Sequence, residues 1–286
     1  TGSAGSEAHQ KVAAMVARGF GEPPAGETKL AWLRRLFDER GANAKIVSAV
    51  RATGAGDVPA EWVLAPGVDP KRRLLYIHGG GYMTGSPASH RPITSRLSVL
   101  AGAAVLAIDY RLMPEHSRMT GIEDCRTAYR WILANGPGGS SPAEVLFLAG
   151  DSSGGNLVLA TIAWARDSGR RPANAVVVFS PQTDVTLASP SLDKNTGTDV
   201  MQGESFGPIV RAPRPLALWF MYFMHGTNPA SPLVSPLQGN LSDLPPTLLQ
   251  VSGSEMFLDD AIRYANKARA QGSLAELQVW PDTVHV

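Results

Sequence analysis

Cysteine is almost missing from this chain: Cys125 is the only one among 286 residues. A single cysteine excludes an intramolecular disulfide framework and a zinc site built from several thiolates. Long apolar runs are also missing, and because a transmembrane helix needs about 18 consecutive apolar residues, we expect no membrane span. The 26 Lys and Arg residues balance 25 Asp and Glu, which leaves a net charge of +1. Without a basic stripe, the chain is not expected to bind nucleic acid.

The first six residues, from Thr1 to Ser6, have neither a charged lead nor an apolar core. A secretory signal peptide needs both, so the sequence predicts none. With neither a leader nor a span, we expect a cytoplasmic protein. A chain of this length with 44% hydrophobic residues can bury one large core, and we expect one domain with an elaboration.

From Arg73 onward, short apolar segments alternate with helix-length patterns. Near-continuous apolar strands that alternate with helices indicate the α/β class, with a mostly parallel sheet covered on both faces. Two shorter strands, 44–51 and 61–64, and two N-terminal helical patterns are predicted before this region. The predicted strands of the α/β region are 74–77, 104–108, 145–148, 176–179, 248–251 and 277–280, and its predicted helices are 93–101, 122–134, 156–167 and 258–270.

Residues 150–154 read Gly-Asp-Ser-Ser-Gly, a Gly-x-Ser-x-Gly run between a predicted strand and a predicted helix. A serine on so sharp a turn has its hydroxyl exposed at the end of the sheet, and the flanking glycines avoid collisions that a Cβ would make. The alternative is an ordinary glycine-rich turn. The strand before and the helix after favour Ser152 as a nucleophile.

Three glycines follow His78 at the end of the predicted strand 74–77. They let two backbone N–H groups point at one oxygen, as in the oxyanion holes of lipases and esterases. We predict Gly80, Gly81 and Ser153 as the donors of such a hole. A phosphate-binding loop is disfavoured, because no Gly-Lys-Ser/Thr follows and the spacing lacks a dinucleotide fingerprint.

A serine nucleophile needs a general base and an acid that orients this base. His285 follows the last predicted strand and is the predicted base. Glu255 lies in the loop after strand 248–251 and is the predicted acid. Asp259 stays open as an alternative, although acids in the first turn of a helix also stabilise the helix dipole. Ser152, Glu255 and His285 occur in the chain order expected of the α/β-hydrolase fold.

The segment 184–240 contains no clear strand and interrupts the alternation. Its middle, residues 216–224, is apolar on all sides and too short to cross a bilayer. Two interpretations are open: a buried core helix, or a lid whose aromatic and methionine side chains line an acyl pocket. The lid is favoured because the insertion lies between two predicted strands. The predicted pocket residues are Tyr82, Trp219, Phe220 and Phe223.

These motifs together resemble the bacterial hormone-sensitive-lipase family of carboxylesterases, from about Leu74 to the end of the chain. The resemblance implies the α/β-hydrolase fold with a helical cap, and hydrolysis of small esters with short or medium acyl chains through an acyl-enzyme. It implies neither a cofactor nor a metal, and a homodimer is expected because family members often form dimers. The matching motifs are His-Gly-Gly-Gly-Tyr at 78–82, Asp-Tyr-Arg-Leu-Met-Pro-Glu-His at 109–116, Gly-Asp-Ser-Ser-Gly-Gly at 150–155, Ser-Pro-Leu-Val-Ser-Pro-Leu at 231–237, Gly-Ser-Glu-Met-Phe-Leu-Asp-Asp at 253–260, and His285.

The resemblance also divides the chain. We expect N-terminal cap helices in 1–43, the first part of the hydrolase core in 44–184, a cap insertion in 185–228, and the second part of the core in 229–286. Residues 117–120, Ser-Arg-Met-Thr, replace the stretch with proline and phenylalanine that is usual in the family. Family members continue with a helix beyond the histidine, so the active protein is expected to extend past Val286.

Other functions are open on the same residues. The same machinery could serve an amidase, a lactonase or a deacetylase, and some relatives with this fold bind small ligands without catalysis. Those non-catalytic relatives include plant hormone receptors that have lost the histidine of the triad. The presence of His285 therefore favours an enzyme.

Overall fold

The computed structural model describes residues 7–17, 21–281 and 283–285. The predicted absence of a signal peptide concerns residues 1–6, which lie outside the described residues. Residues 18–20 of the predicted N-terminal cap helices, and residues 282 and 286 of the predicted second part of the core, also lie outside the described residues.

The described residues form ten strands, eight of which make one sheet in the order β1-β2-β4-β3-β7-β8-β9-β10. In this order, all neighbouring strands from β4 through β3, β7, β8 and β9 to β10 are parallel. At the other edge, β2 is antiparallel to both of its neighbours, β1 and β4. The strands are β1 (Ala49–Ala55), β2 (Val58–Leu64), β3 (Asp69–Ile77), β4 (Ala103–Ile108), β5 (Asn135–Gly136), β6 (Gly139–Ser140), β7 (Val145–Asp151), β8 (Ala175–Phe179), β9 (Thr247–Ser252) and β10 (Ala275–Trp280). The six strands predicted from residue 74 onward are all present.

Helices lie on both faces of the sheet, as the apolar strands predicted. On one face, Leu75 of β3 belongs to a core with Ile132 and Leu159, and on the other Leu74 packs with Leu97. In the described residues the α-helices are α1 (Glu7–Ala17), α2 (Lys29–Ala42), α3 (Arg91–Ala101), α4 (Arg118–Ala134), α5 (Ser152–Asp167), α6 (Ser191–Lys194), α7 (Gly203–Arg211), α8 (Arg214–His225) and α9 (Leu258–Ala270). Thus α4, α5 and α9 cover one face, and α3 covers the other.

The predicted strand 44–51 is correct only in its last three residues, because residues 44–48 are not in a strand and the side chain of Val47 is 70% exposed. Strand β1 instead begins at Ala49 and pairs with β2 around a turn at Gly56 and Asp57. Gly56 has a φ of 71°, a conformation suited to glycine. The turn fixes the register of this hairpin, and the apolar residues before it do not.

Helix α2 is held against the core by Arg34. Its Nε donates to the carbonyl oxygen of Met83 at 2.7 Å, and its Nη2 donates to that of Met113 at 2.9 Å. Arg34 also forms an ion pair with Glu115 at 2.8 Å. These contacts place α2 beside the loop that follows β3, where the candidate site lies.

The insertion at 184–240 contains no strand, as predicted, and carries α6, α7 and α8. Helix α8 buries Ala217 and Met221 against the rest of the protein. Its other side is open to solvent, with Trp219 and Phe223 each 62% exposed. The interpretation of 216–224 as a buried core helix is therefore wrong. No helix in the described ranges combines the length and the apolar character that crossing a membrane requires.

Candidate active site

Ser152 lies at the junction of β7 and α5, where the chain turns sharply from strand to helix. Its backbone φ is 50°, a value that residues other than glycine rarely adopt. A Cβ at Gly150 would lie 2.6 Å from the carbonyl oxygen of Ile77, and a Cβ at Gly154 would lie 2.1 Å from the same oxygen. Only glycine fits at these two positions, so the strained turn can form and present the hydroxyl of Ser152.

The three side chains predicted as a triad are joined by hydrogen bonds. Ser152 Oγ lies 2.9 Å from Nε2 of His285, and Nδ1 of His285 lies 3.1 Å from Oε2 of Glu255. Because the carboxylate accepts, the proton belongs on Nδ1, which leaves Nε2 free to accept from the serine hydroxyl. All three residues are buried. This arrangement can remove the proton from the serine oxygen.

Asp259, the alternative acid, has a different role in the structure. It is the second residue of α9, and its Oδ2 accepts a hydrogen bond from the backbone N–H of Ser191 at 2.8 Å. An acid in the first turn of a helix also stabilises the helix dipole. The structure therefore brings Glu255, and not Asp259, to His285.

Two short connections hold the elements that carry the acid and the base. The carbonyl oxygen of Thr283 accepts from Ser252 Oγ at 2.5 Å and from Ser254 Oγ at 3.1 Å. The backbone carbonyl of Glu255 accepts from Nδ2 of Asn195 at 2.8 Å. The segment before His285 is thus attached to the end of β9, and the Glu255 loop is attached to the residue that follows α6.

The charge of Glu255 affects the titration of His285. Burial by itself lowers the pKa of the imidazole, but the negative charge and the hydrogen bond of Glu255, together with the charges of Asp199 and Asp151, outweigh it. The net result is a pKa above the ordinary value for histidine. The pair therefore stabilises the imidazolium that forms when His285 takes a proton.

Two of the predicted oxyanion donors, Gly80 and Gly81, line the same cavity as Ser152, and the third, Ser153, follows it in the chain. Gly80 and Gly81 have φ values of 111° and 63°, and in the described part of the chain no acceptor receives a hydrogen bond from the N–H of either. Ser153 is the second residue of α5, where backbone N–H groups have no partner within the helix. These three N–H groups are available to an oxygen bound beside Ser152.

A buried carboxylate behind the site was missed by the sequence analysis. Asp151 accepts hydrogen bonds from Tyr76 Oη at 2.6 Å and from the N–H of Gly79 at 3.0 Å, and it lies 3.3 Å from Nε2 of His90. Burial raises its pKa, but the charge of His90 and the hydrogen bonds from His90 and Tyr76 lower it to about 2. Asp151, the last residue of β7, thereby connects the glycine loop to the strand that precedes Ser152. The signal in the sequence was its place directly before the nucleophile.

A cavity of about 510 Å³ opens beside Ser152 and His285. Among the described residues that line it, only Phe37 and Met201 have apolar side chains larger than that of alanine. The residues that line it are Phe37, Arg40, Gly80, Gly81, Thr84, Gly85, Ser89, His90, Asp151, Ser152, Met201, Gln202, Ser205 and His285.

The predicted pocket residues are wrong, because the cavity wall in the described residues includes none of them. Trp219, Phe220 and Phe223 lie on the exposed side of α8, and helical geometry turns them away from the buried Met221. The ring of Tyr82 is buried behind the glycine loop, edge-on to His225. The cap segments line the cavity through α2 and through residues just before and within α7 instead.

Comparisons with known proteins agree with this fold. Residues 74–286 match a family described as alpha/beta hydrolase fold. The chain is 36% identical over 231 residues to an acetyl-hydrolase of Streptomyces hygroscopicus, which covers 81% of this chain and 73% of that protein. It is 38% identical over 232 residues to the carboxylesterase/phospholipase LipF of Mycobacterium tuberculosis, covering 79% of this chain but only 60% of LipF.

A solved structure described as an esterase from the bacterial hormone-sensitive lipase family superposes with a TM-score of 0.84. It is 34% identical in sequence, and the match covers 99% of this chain and 91% of that one. The fold class predicted from the sequence is therefore confirmed.

Proposed function

The chain belongs to the bacterial hormone-sensitive-lipase family of carboxylesterases and is a carboxylic ester hydrolase, and we propose that it cleaves short- to medium-chain acyl esters through an acyl-enzyme on Ser152. The observation that carries this proposal is the continuous hydrogen-bond chain from Ser152 through His285 to Glu255, at the wall of a cavity. Each step of the reaction follows from these positions.

Acylation begins with the transfer of the Ser152 proton to Nε2 of His285 while Oγ attacks the ester carbonyl carbon. The carbonyl oxygen becomes negatively charged and accepts from the N–H groups of Gly80, Gly81 and Ser153. Glu255 keeps the imidazole in the required tautomer and stabilises the imidazolium. When the tetrahedral intermediate collapses, the C–O bond breaks and the alcohol leaves with the proton from His285.

Deacylation repeats these steps with water as the nucleophile. His285 takes a proton from the water, and the hydroxide oxygen attacks the acyl carbon in the same oxyanion hole. The bond to Ser152 Oγ then breaks, and the serine recovers its proton from His285. The products are one carboxylic acid and one alcohol, and the protein returns to its starting state.

The wall of the cavity supports a preference for short acyl chains. Each buried methylene gains about 0.8 kcal/mol only where apolar surface is present to receive it. Phe37 and Met201 are large apolar side chains in this wall, and most of the other lining residues are glycine or polar residues. We infer that the first few carbons of an acyl chain gain most from contact with Phe37 and Met201, and that further carbons gain less.

A panel of p-nitrophenyl esters from acetate to palmitate, with p-nitroanilides of the same acids, tests the proposed function. We expect kcat/KM to be highest between two and about eight carbons and to fall at least tenfold by palmitate, with the anilides at least a hundredfold slower than the esters. Faster turnover of palmitate would contradict the acyl preference. Faster turnover of the anilides would favour an amidase on the same triad.

The raised pKa of His285 gives the reaction a pH dependence. His285 must be neutral to accept a proton, so kcat/KM should fall as the pH drops through its pKa, with a midpoint above about 6.5. In Glu255→Gln the negative charge is absent, so the midpoint of the residual activity should move to lower pH. A pH–rate profile of both proteins on p-nitrophenyl acetate measures this, and an identical midpoint in both would contradict the assigned acid.

The cap segments are proposed to be 1–43 and 185–228, because Phe37 of α2 and Ser205 of α7 both line the cavity. The homodimer and the cytoplasmic location stay predictions from the sequence.

A further inference from the structure

Arg118 is a cation buried without a carboxylate. It is the first residue of α4 and is 3% exposed. In the part of the chain that the structure describes, it forms no ion pair, its Nη2 donates to Oδ1 of Asn156, and its Nε has no partner. Burying a cation without an opposite charge is costly, and the positive end of the α4 dipole adds to this cost. The stability of the fold therefore gives little reason for an arginine here.

The guanidinium joins two parts of the protein that approach Ser152 from different sides. Its Cζ lies 3.5 Å from the centre of the Tyr82 ring, so the two planes are in direct contact. Its Nη2 donates to Asn156 at 2.6 Å. Tyr82 belongs to the glycine loop, and Asn156 belongs to α5, the helix that begins at Ser152.

Tyr82 directly follows Gly81 and has a φ of 65°, which is strained for a residue with a side chain. Its backbone N–H donates to Ser153 Oγ at 3.3 Å, and its hydroxyl donates to Oε1 of Gln182 at 3.3 Å. Tyr82 therefore attaches the residue after Gly81 directly to Ser153.

Asn156 is fully buried and fixed at both ends of its amide. Its Nδ2 donates to the carbonyl oxygens of Gln182 and Val234, each at 2.8 Å. With Nδ2 committed in this way, Oδ1 faces Arg118. The guanidinium thus connects the strained Tyr82 to a side chain of α5 that cannot rotate.

We propose that Arg118 is a positioning residue for the oxyanion hole. By stacking on Tyr82 and hydrogen-bonding Asn156, it holds the donors of the glycine loop in register with the donor of α5. Misplacement of catalytic groups by about 1 Å can lower a rate a hundredfold, so this register matters for kcat. The inference rests on the proposed function, because it assigns no role to Arg118 outside the Ser152 site.

Arg126 offers a matched control on the same helix. Its guanidinium also lies over an aromatic ring of α5, with Cζ 5.4 Å from the centre of Trp164, and its Nε is buried without a partner. Arg126 and Trp164 contact neither the glycine loop nor Ser152. Loss of its side chain therefore reports what the loss of an arginine–aromatic contact between α4 and α5 does, together with the loss of its ion pair with Glu123 at 2.5 Å.

The test compares Arg118→Met and Arg126→Met in steady-state hydrolysis of p-nitrophenyl acetate, with binding of an alkyl boronic acid that forms a tetrahedral adduct on a serine. For Arg118→Met we expect kcat to fall about 10- to 100-fold with KM within about twofold of the parent. Boronate affinity should fall by the same factor as kcat, because the adduct occupies the oxyanion hole. Arg126→Met should keep the parental kcat and boronate affinity.

Three results would overturn the proposal: parental kcat in folded Arg118→Met, a change in KM alone, or a fall in kcat with unchanged boronate affinity. If Arg118→Met does not fold, Arg118→Lys replaces it, because lysine keeps the buried charge but lacks the planar group. The same fall in kcat is expected, and parental kcat in Arg118→Lys would equally overturn the role. Failure of the proposed function is distinguishable, since parent protein and Arg126→Met would then also lack esterase activity that depends on Ser152.

Discussion

Replacing Ser152 with alanine should lower kcat on p-nitrophenyl acetate by about 10⁴- to 10⁶-fold. Without Oγ no acyl-enzyme forms, and the oxyanion hole alone retains only a small part of the rate enhancement. The substitution removes one atom at a residue that is already buried, so the protein should stay folded. Stopped-time assays with enough enzyme to detect a residual rate, together with thermal unfolding, measure both quantities.

Ser153→Ala is the matched control, because it removes the neighbouring hydroxyl from the same turn. Ser153 contributes its backbone N–H to the oxyanion hole, and this group survives the substitution. In the described residues its Oγ accepts one hydrogen bond, from the N–H of Tyr82 at 3.3 Å, so we expect kcat within about tenfold of the parent. If Ser153→Ala lowers kcat as much as Ser152→Ala does, the nucleophile has been misassigned.

Replacing Glu255 with glutamine should lower kcat by about 10³- to 10⁴-fold, the second-largest effect that we expect. The amide has nearly the same shape, but its NH₂ group can donate to Nδ1 of His285. This stabilises the wrong tautomer, in which Nε2 carries the proton and cannot accept another. The negative charge that stabilises the imidazolium in the transition state is also absent from the glutamine side chain.

Asp259→Asn is the comparison for the acid. This side chain accepts from the N–H of Ser191 and lies in the first turn of α9, so its charge contributes to the stability of that helix by about 0.3–1 kcal/mol. We expect parental kcat and a slightly lower unfolding midpoint. A greater loss of kcat in Asp259→Asn than in Glu255→Gln would reverse the assignment of the acid.

The sequence predicted those parts of the site that local rules determine. Gly150 and Gly154 are required by the close approach of Ile77, and the order of Ser152, Glu255 and His285 follows from the order of strands in a parallel sheet. The alternation of strand and helix patterns was sufficient to predict the elements of the core. The predicted start of one helix was late, because α5 begins at Ser152 and not at Asn156.

The features that were missed depend on contacts between distant segments. Helix α8 is apolar on all sides, so its sequence could not indicate that Met221 would face the protein and Trp219 the solvent. The partners of Asp151 come from β3 and from the residue just before α3, and those of Arg118 from the glycine loop and α5. Only the folded chain brings such residues together.

The central claim is that one hydroxyl, that of Ser152, forms the covalent bond to the acyl group. The most direct test is to treat the protein with a fluorophosphonate, digest it, and locate the adduct by fragment mass spectrometry. The account predicts one equivalent of label on Ser152, loss of activity in proportion to labelling, and no label in His285→Ala. An adduct on Ser153, or full inhibition with Ser152 unmodified, would contradict it.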